Sequence, residues 1–451
     1  IIKLIMNSNT QHFKLLKSNK AKIAIWGCGY IGYSTMCFYA KNNIKSFGYD
    51  IDIQKVKEIN KGKINIYGLK NWLGFNINKK KQKKFIKASN DINEIINDKD
   101  VICHFVCIPT EKNGRPYLNY FREILKLISK RKSNNFKIKE CIIVESTLMP
   151  NTVDKLFKDY LKKYKIFDNF HFAVAPRRDW FEDQTKTLET LDRVFGCKDK
   201  NSNKIIFQIL SIVTKKVHIA TNHRVSELVK SVENCYRHVE INLANELSLA
   251  YPEKDMREVL SLVGTKWNMN TYYPGFGTGG YCIPLSSKYI LGGSKYPKKL
   301  KIVNEAVKLD SKINKIIGRS VLKNNIKKIL VLGLSYKSNL KVHILSPTID
   351  LVNYFKKKSI SVTLYDPLFS SSEIKKILNV KSLNKVTNFQ SYHAIVIMVK
   401  HNQFYDINFK KISRNLNLKL ILDNANFFKN KPNFLPKNAI YKKTGQSNWL
   451  S

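Results

Sequence analysis

Lys22-Ile23-Ala24-Ile25-Trp26 runs straight into Gly27-Cys28-Gly29-Tyr30-Ile31-Gly32, and no other stretch of the chain constrains its fold so tightly. A short apolar run ending in glycine reads as a buried strand entering a turn. The next residues, Tyr30 to Asn42, are helical in character, and a second strand over Ser46–Tyr49 ends at Asp50. Strand, glycine turn, helix, strand and acid in that order make a dinucleotide fingerprint. Gly27 allows the tight turn, Gly29 lets the backbone approach a pyrophosphate, and Gly32 permits close packing of helix on strand. The helix start offers free N–H groups and a positive dipole end to phosphate. Asp50 is placed for the adenosine ribose hydroxyls. A carboxylate there repels a 2′-phosphate, which favours NAD over NADP.

Further apolar runs at Val101–Ile108, Cys141–Val144 and Phe172–Val174 alternate with polar segments of helical length, the pattern of a parallel sheet covered on both faces. Val225–Tyr251 then carries apolar residues at helical spacing without Gly or Pro and predicts one long helix. A second helix is expected over Leu300–Leu322. The strand pattern restarts at Lys328–Leu332 and continues through Ser361–Tyr365, Ala394–Val399 and Leu418–Leu422. The expected fold is therefore α/β: two Rossmann-like, doubly wound parallel-sheet domains joined by a central helical domain with one long helix. Boundaries fall at residues 1–210, 211–320 and 321–451.

With 43% hydrophobic and 11% aromatic residues the chain can pack cores, and no run of eighteen apolar residues marks a membrane span. Ile1–Lys20 lacks a small-residue cleavage site and reads as a frayed leader, not a signal peptide. The formal charge of +45 is spread along the chain with abundant Asn and Ile, forms no basic stripe with interleaved aromatics, and is read as compositional bias. Nucleic acid is accordingly not an expected partner. The eight cysteines contain no CxxC or Cys/His ligand set, so no metal is expected. Several lie in apolar strands, as fits a reducing cytoplasm.

A second motif is Gly275-Phe276-Gly277-Thr278-Gly279-Gly280-Tyr281-Cys282-Ile283-Pro284, a thiol amid glycines that let the backbone approach a ligand. On the long helix Glu227, Lys230 and Asn234 share one face. That face is either a solvated polar surface or a pair of groups able to hold a hydroxyl and stabilise alkoxide charge.

The ordered motifs GCGYIG (27–32), VCIPTEKNGRP (106–116), ESTLMPNT (145–152), SELVKSVENCYRHVEINLANEL (226–247), PGFGTGGYCIP (274–284), LGLSYKSN (332–339) and YDP (365–367) resemble the UDP-glucose/GDP-mannose dehydrogenase family nearly end to end. The resemblance implies an N-terminal NAD domain, a central dimerisation domain with the cysteine loop, and a C-terminal domain completing a UDP-sugar site. It implies cofactor contacts from Gly27, Gly29, Tyr30, Ile31, Gly32, Asp50 and Thr110. Cys282 would attack the aldehyde made by a first hydride transfer. The thiohemiacetal would yield a second hydride, and the thioester would be hydrolysed. Lys230 and Asn234 would hold the reacting oxygen and a water, with Thr147 helping to place that water. Phe276, Gly279 and Lys337 would line the substrate site. A UDP-sugar is preferred over a GDP-sugar, in a homodimer or higher homo-oligomer feeding polysaccharide synthesis.

Three positions depart from the family pattern. Ser286 stands where an aspartate follows the nucleophile by four residues. Arg177 replaces a glutamate proposed as the base for thioester hydrolysis, and Ile344-Leu345-Ser346-Pro347 lacks an arginine. Asp179, Glu182 or Asp183 are candidate replacements for the lost acid, while Arg177 and Arg178 could bind a substrate carboxylate or phosphate. Two alternatives therefore stand beside the four-electron dehydrogenase: a silent sugar-nucleotide-binding subunit, and a two-electron hydroxyacid-type dehydrogenase.

Overall fold

The computed structural model describes residues 8–63, 66, 68–77, 79–112, 114–181, 183–323 and 325–451. They divide into two compact units, one of residues 1–232 with 292–295, the other of residues 233–291 with 296–451.

The first unit is built on β1 (Lys22–Trp26), β2 (Ser46–Tyr49), β3 (Ile86–Ser89), β4 (Val101–Val106), β7 (Glu140–Val144), β8 (Phe170–Val174), β9 (Arg193–Cys197) and β10 (Val217–Ile219), with a small hairpin of β5 (Glu111–Lys112) and β6 (Arg115–Pro116). The sheet order is β10-β9-β8-β7-β4-β1-β2-β3, and the β8–β9 pair is antiparallel. Central strands buried on both faces read as the continuous apolar runs seen in the sequence. One face packs Ile23, Ile25 and Phe105 against the helix Tyr30–Lys41, and the other packs Ala24, Trp26 and Ile142 against the helix Asn119–Ser129.

The expected frayed leader is ordered over its described part. Thr10 caps a helix, Gln11–Lys17, and its backbone N–H and hydroxyl both donate to Gln208 Oε1 at 2.8 Å. Leu16 is fully buried. Phe13 and Leu15 pack on the same core, and His12 Nε2 lies 2.7 Å from the Lys139 carbonyl oxygen, so the short helix is docked along its face.

The second unit holds an all-parallel sheet of β11 (Lys328–Leu332), β12 (Ser361–Tyr365), β13 (Lys381–Ser382), β14 (Ala394–Ile397), β15 (Leu420–Asp423) and β16 (Ile440–Lys443), ordered β13-β12-β11-β14-β15-β16. Its helices include Met256–Val263, Cys282–Gly293, Lys301–Leu322 and Pro347–Lys357. The long helix, His223–Ala250, begins in the first unit and continues in the second. Among the described residues, no helix is long and apolar enough to cross a membrane, and no group of His, Cys, Asp and Glu is arranged to hold a metal ion.

Candidate active site

The glycine turn of the first unit follows the C-terminal end of β1, whose neighbours in the sheet are β2 and β4. Gly27 has φ of +90°, and a Cβ there would sit 2.8 Å from the Cys107 carbonyl oxygen. A Cβ on Gly32 would collide with the Gly27 carbonyl. At Gly29 it would meet nothing within 4 Å, which leaves the open face a pyrophosphate needs. Asp50 closes β2 and is 7% exposed. Its Oδ2 accepts the Cys28 N–H at 2.8 Å, and Lys55 Nζ lies 3.0 Å away. The acid is thus held in place, as ribose recognition requires. Tyr30 packs on Phe181 with ring centroids 5.2 Å apart, and the Ile31 carbonyl accepts the Ser34 and Thr35 hydroxyls. Turn, open glycine and anchored acid fit an NAD molecule.

Two expected residues meet after β4. The Thr110 hydroxyl donates to the Thr147 carbonyl at 2.6 Å, fixing the backbone of the 145–152 loop. Glu227 grips the same loop from the long helix, accepting the Asn151 and Val153 N–H groups, both at 3.0 Å. Burial pushes the Glu227 carboxyl up to about 7, against the pull of the Val153 and Asn151 N–H groups. A folded-state value above the unfolded one contributes stability that is complete below the ordinary carboxyl range and is lost as pH rises through about 7. Wild-type protein is therefore expected to lose about 3 kcal/mol relative to Glu227→Gln between pH 4.5 and 8. Paired thermal melts across that range check it, and parallel curves would refute it.

Arg177 has other work than the substrate contact expected of it. It is 4% exposed, with Nε on Asp179, Nη1 on Thr35 and Glu145, and Nη2 on Ser34. Arg193 binds the other oxygen of Glu145. Burial alone would raise the Glu145 carboxyl, but Arg193 and Arg177 outweigh it and hold it below its ordinary value. The result is a neutral cluster of two arginines and two acids against the start of the helix Tyr30–Lys41. Asp179 is consumed in it, Asp183 binds Thr185, Arg178 donates to the Asp192 carbonyl, and Glu182 lies outside the described residues. No neighbouring acid among the described candidates stands free to replace the missing glutamate. Sequence reasoning missed Glu145 and Arg193, although Glu145 opens a motif it had singled out.

In the second unit Cys282 is the first residue of the helix Cys282–Gly293 and, among the described residues, the only exposed cysteine. Ser286, one turn on, donates to the Cys282 carbonyl at 2.6 Å and accepts the Asn234 amide at 3.0 Å. Asn234 is 3% exposed, so its amide is aimed rather than solvated. Lys230 lies one turn earlier on the long helix and is half-buried. Phe276 is 1% exposed within the C-terminal core, so its ring is a packing element and only its backbone can face a ligand. A Cβ on Gly279 would fall 2.5 Å from Tyr336 Cβ, and one on Gly280, at φ of +76°, would strike the Tyr336 ring. These glycines admit Tyr336, a packing demand that the sequence had suggested belonged to a ligand. Lys337 follows Tyr336 in the loop after β11, half-buried. Where an arginine was expected, Ile344 accepts the Gly280 N–H through its carbonyl at 2.9 Å, and Ser346 caps the helix Pro347–Lys357.

Comparison with known proteins matches this layout along its length. Residues 21–214 match the NAD binding domain of the UDP-glucose/GDP-mannose dehydrogenase family, residues 224–315 its central domain and residues 330–430 its UDP binding domain. A UDP-N-acetyl-D-mannosamine dehydrogenase of Methanococcus vannielii is 30% identical over 434 residues, covering 91% of this chain and 94% of that one. One from Pyrococcus horikoshii is 26% identical, covering 91% and 97%. Among solved structures, a UDP-D-ManNAc dehydrogenase from Pyrococcus horikoshii superposes with a TM-score of 0.78 at 23% identity, over 95% of this chain and 100% of that one. A UDP-glucose dehydrogenase from Pyrobaculum islandicum gives 0.75 at 19% identity, over 93% and 96%. The chain is a member of the NAD-dependent UDP-glucose/GDP-mannose dehydrogenase family.

Proposed function

We propose that this protein oxidises C6 of a UDP-linked hexose or N-acetylhexosamine from alcohol to carboxylate, with Cys282 as the nucleophile. The observation that carries the reading is the exposed Cys282 thiol at a helix N-terminus, its backbone pinned through Ser286 to the buried amide of Asn234. The names of the relatives, UDP-N-acetyl-D-mannosamine dehydrogenases in Methanococcus vannielii and Pyrococcus horikoshii, support an acetylated hexosamine. The glycine turn Gly27–Gly32 and Asp50 would hold NAD, which would supply the hydride acceptor for each of the two oxidations. Lys230 and Asn234 are assigned to hold the reacting oxygen, and an amide fixed from one side is suited to that task. Cys282 Sγ adds to the aldehyde carbon to give a thiohemiacetal, which loses hydride and its hydroxyl proton to become a thioester. Water then displaces the thiol and leaves the carboxylate. The helix dipole at Cys282 favours the negative charge that develops on the adduct oxygen.

The test is NADH yield per sugar across a panel of UDP- and GDP-sugars, with product mass determined on the same samples. Two NADH and a carboxylate support the proposal. One NADH with an aldehyde refutes its second half, and tight NAD binding without turnover would point to a silent subunit.

The long helix also supports a homodimer. In the second unit it buries Asn234, His238, Asn242 and Asn245 and exposes Tyr236 and Leu243, while Leu262 and Trp267, at 91% exposure, stand out nearby in sequence. A helix that turns polar groups inward and apolar ones outward suits a second copy of the same chain. Leu243→Glu with Leu262→Glu is expected to convert dimer to monomer in light scattering, and an unchanged mass would refute this face.

A further inference from the structure

Around Cys282 the second unit closes a ring of polar side chains that the proposed reaction does not use. His238 lies one turn beyond Asn234 on the long helix and is 1% exposed. Its Nδ1 is 2.8 Å from Ser287 Oγ, on the Cys282 helix. Its Nε2 is 3.4 Å from Asp310 Oδ2, long for a hydrogen bond but within ion-pair reach. Asp310, on the helix Lys301–Leu322, accepts the Thr278 N–H at Oδ1 and the Thr278 hydroxyl at Oδ2, each at 2.8 Å. Thr278 belongs to the glycine loop four residues before Cys282, and Ser287 follows it by five. The segment carrying the thiol is therefore tied at both ends, and the His238–Asp310 contact joins the ties.

A buried imidazole is retained at the expense of its hydration, and its value lies in what its two nitrogens connect. Nδ1 shares a hydrogen bond with Ser287, and Nε2 stands 3.4 Å from Asp310 Oδ2 in contact without a hydrogen bond, so the ring spans the two elements. Ser286 adds a parallel tie from Asn234 to the Cys282 carbonyl. Without His238 the helix keeps that tie, but loses the side-chain link through Ser287 and Asp310 to the glycine loop.

We propose that His238 is a positioning residue, holding the Cys282 helix in register with the glycine loop so that the thiol keeps its attack geometry. The proposal rests on Cys282 being the nucleophile. Misplacing a reacting atom by about 1 Å lowers rates on the order of 10²-fold.

The experiment uses the full chain as wild type, His238→Ala, His238→Gln and Thr278→Val. The Thr278 change removes one hydroxyl bond at a half-buried position and guards against loss of folding in the histidine variants. Iodoacetamide alkylation of Cys282, followed by peptide mass spectrometry, needs no sugar; steady-state kcat and KM are measured beside it. Alanine is expected to lower kcat about 10–100-fold and to change the alkylation rate at least several-fold, with NAD affinity unchanged. Glutamine should recover part of both, and Thr278→Val should move both in the same direction by less. Wild-type kcat and alkylation in either His238→Ala or Thr278→Val would overturn the proposal. So would equal losses in kcat, NAD affinity and melting temperature for alanine and glutamine alike. Should wild type turn over no sugar, the dehydrogenase reading fails on that result, while alkylation still decides whether His238 sets the thiol.

Discussion

Cys282→Ser is expected to abolish release of the sugar acid while leaving NAD binding intact. In the proposed reaction the first hydride leaves the sugar carbon before any bond to sulfur exists, so a single-turnover experiment should still give up to one NADH per site. The second hydride requires a tetrahedral adduct, and a serine hydroxyl is a far weaker nucleophile than a thiol without a base beside it. Steady-state acid formation should therefore fall by about 10³-fold or more. The fold has no stake in the change, because the side chain is exposed and begins its helix. Mass analysis of the product, with NADH counted in the same tube, checks the result. Carboxylate made at the wild-type rate by the serine variant would remove Cys282 from the mechanism.

Arg177→Ala should damage stability more than catalysis. Alanine leaves Asp179 and one oxygen of Glu145 without their guanidinium partner in a site where Arg177 is 4% exposed. Breaking a buried pair from one side costs about 3–5 kcal/mol, or roughly 6–20 °C in melting temperature for a unit of this size. Arg177→Glu, which restores the residue type usual in the family, should be worse, since three acids would then face Arg193 alone. Lysine keeps the charge but not the fork that reaches Asp179, Thr35 and Ser34 together, and should fall between. NAD affinity should weaken with stability, because Ser34 and Thr35 sit on the helix that follows the glycine turn expected to hold the pyrophosphate. A glutamate variant that melted like wild type and turned over faster would show that position 177 faces the substrate after all.

Both results bear on how much could be read from the chain before its structure. The inner strands were legible because burial on both faces leaves continuous apolar runs, and β2, β11 and β12 match their expected bounds. The strands at the sheet ends, β3, β10, β13 and β16, went unnoticed, as did β9, next to the end of its sheet. They are short and mix polar with apolar residues, as edges do when one side has no neighbour to pair with. Glu227 was grouped with Lys230 and Asn234 by helical spacing alone. Spacing fixes a face, but not which backbone lies opposite, and the partners of Glu227 are N–H groups some seventy residues earlier. Arg177 was visible as a departure, yet its destination was not, because Glu145 and Thr35 reach it only through the sheet. His238 and Asp310 are 72 positions apart, and no spacing rule pairs a residue of the long helix with one beyond the glycine loop.

The hydroxyl at position 286 has a consequence for how a catalytic cycle ends. Serine binds Asn234 and the Cys282 carbonyl without bringing a charge, whereas an aspartate would have stood one helical turn from the sulfur as a fixed anion. A newly made sugar acid next to such an anion is pushed outward. Beside a neutral hydroxyl it meets no such repulsion, and in a chain of net charge +45 the surrounding field also retains it. In the proposed reaction, departure of the acid is therefore expected to be slower than either oxidation, with accumulated acid competing against fresh sugar nucleotide for the same pocket.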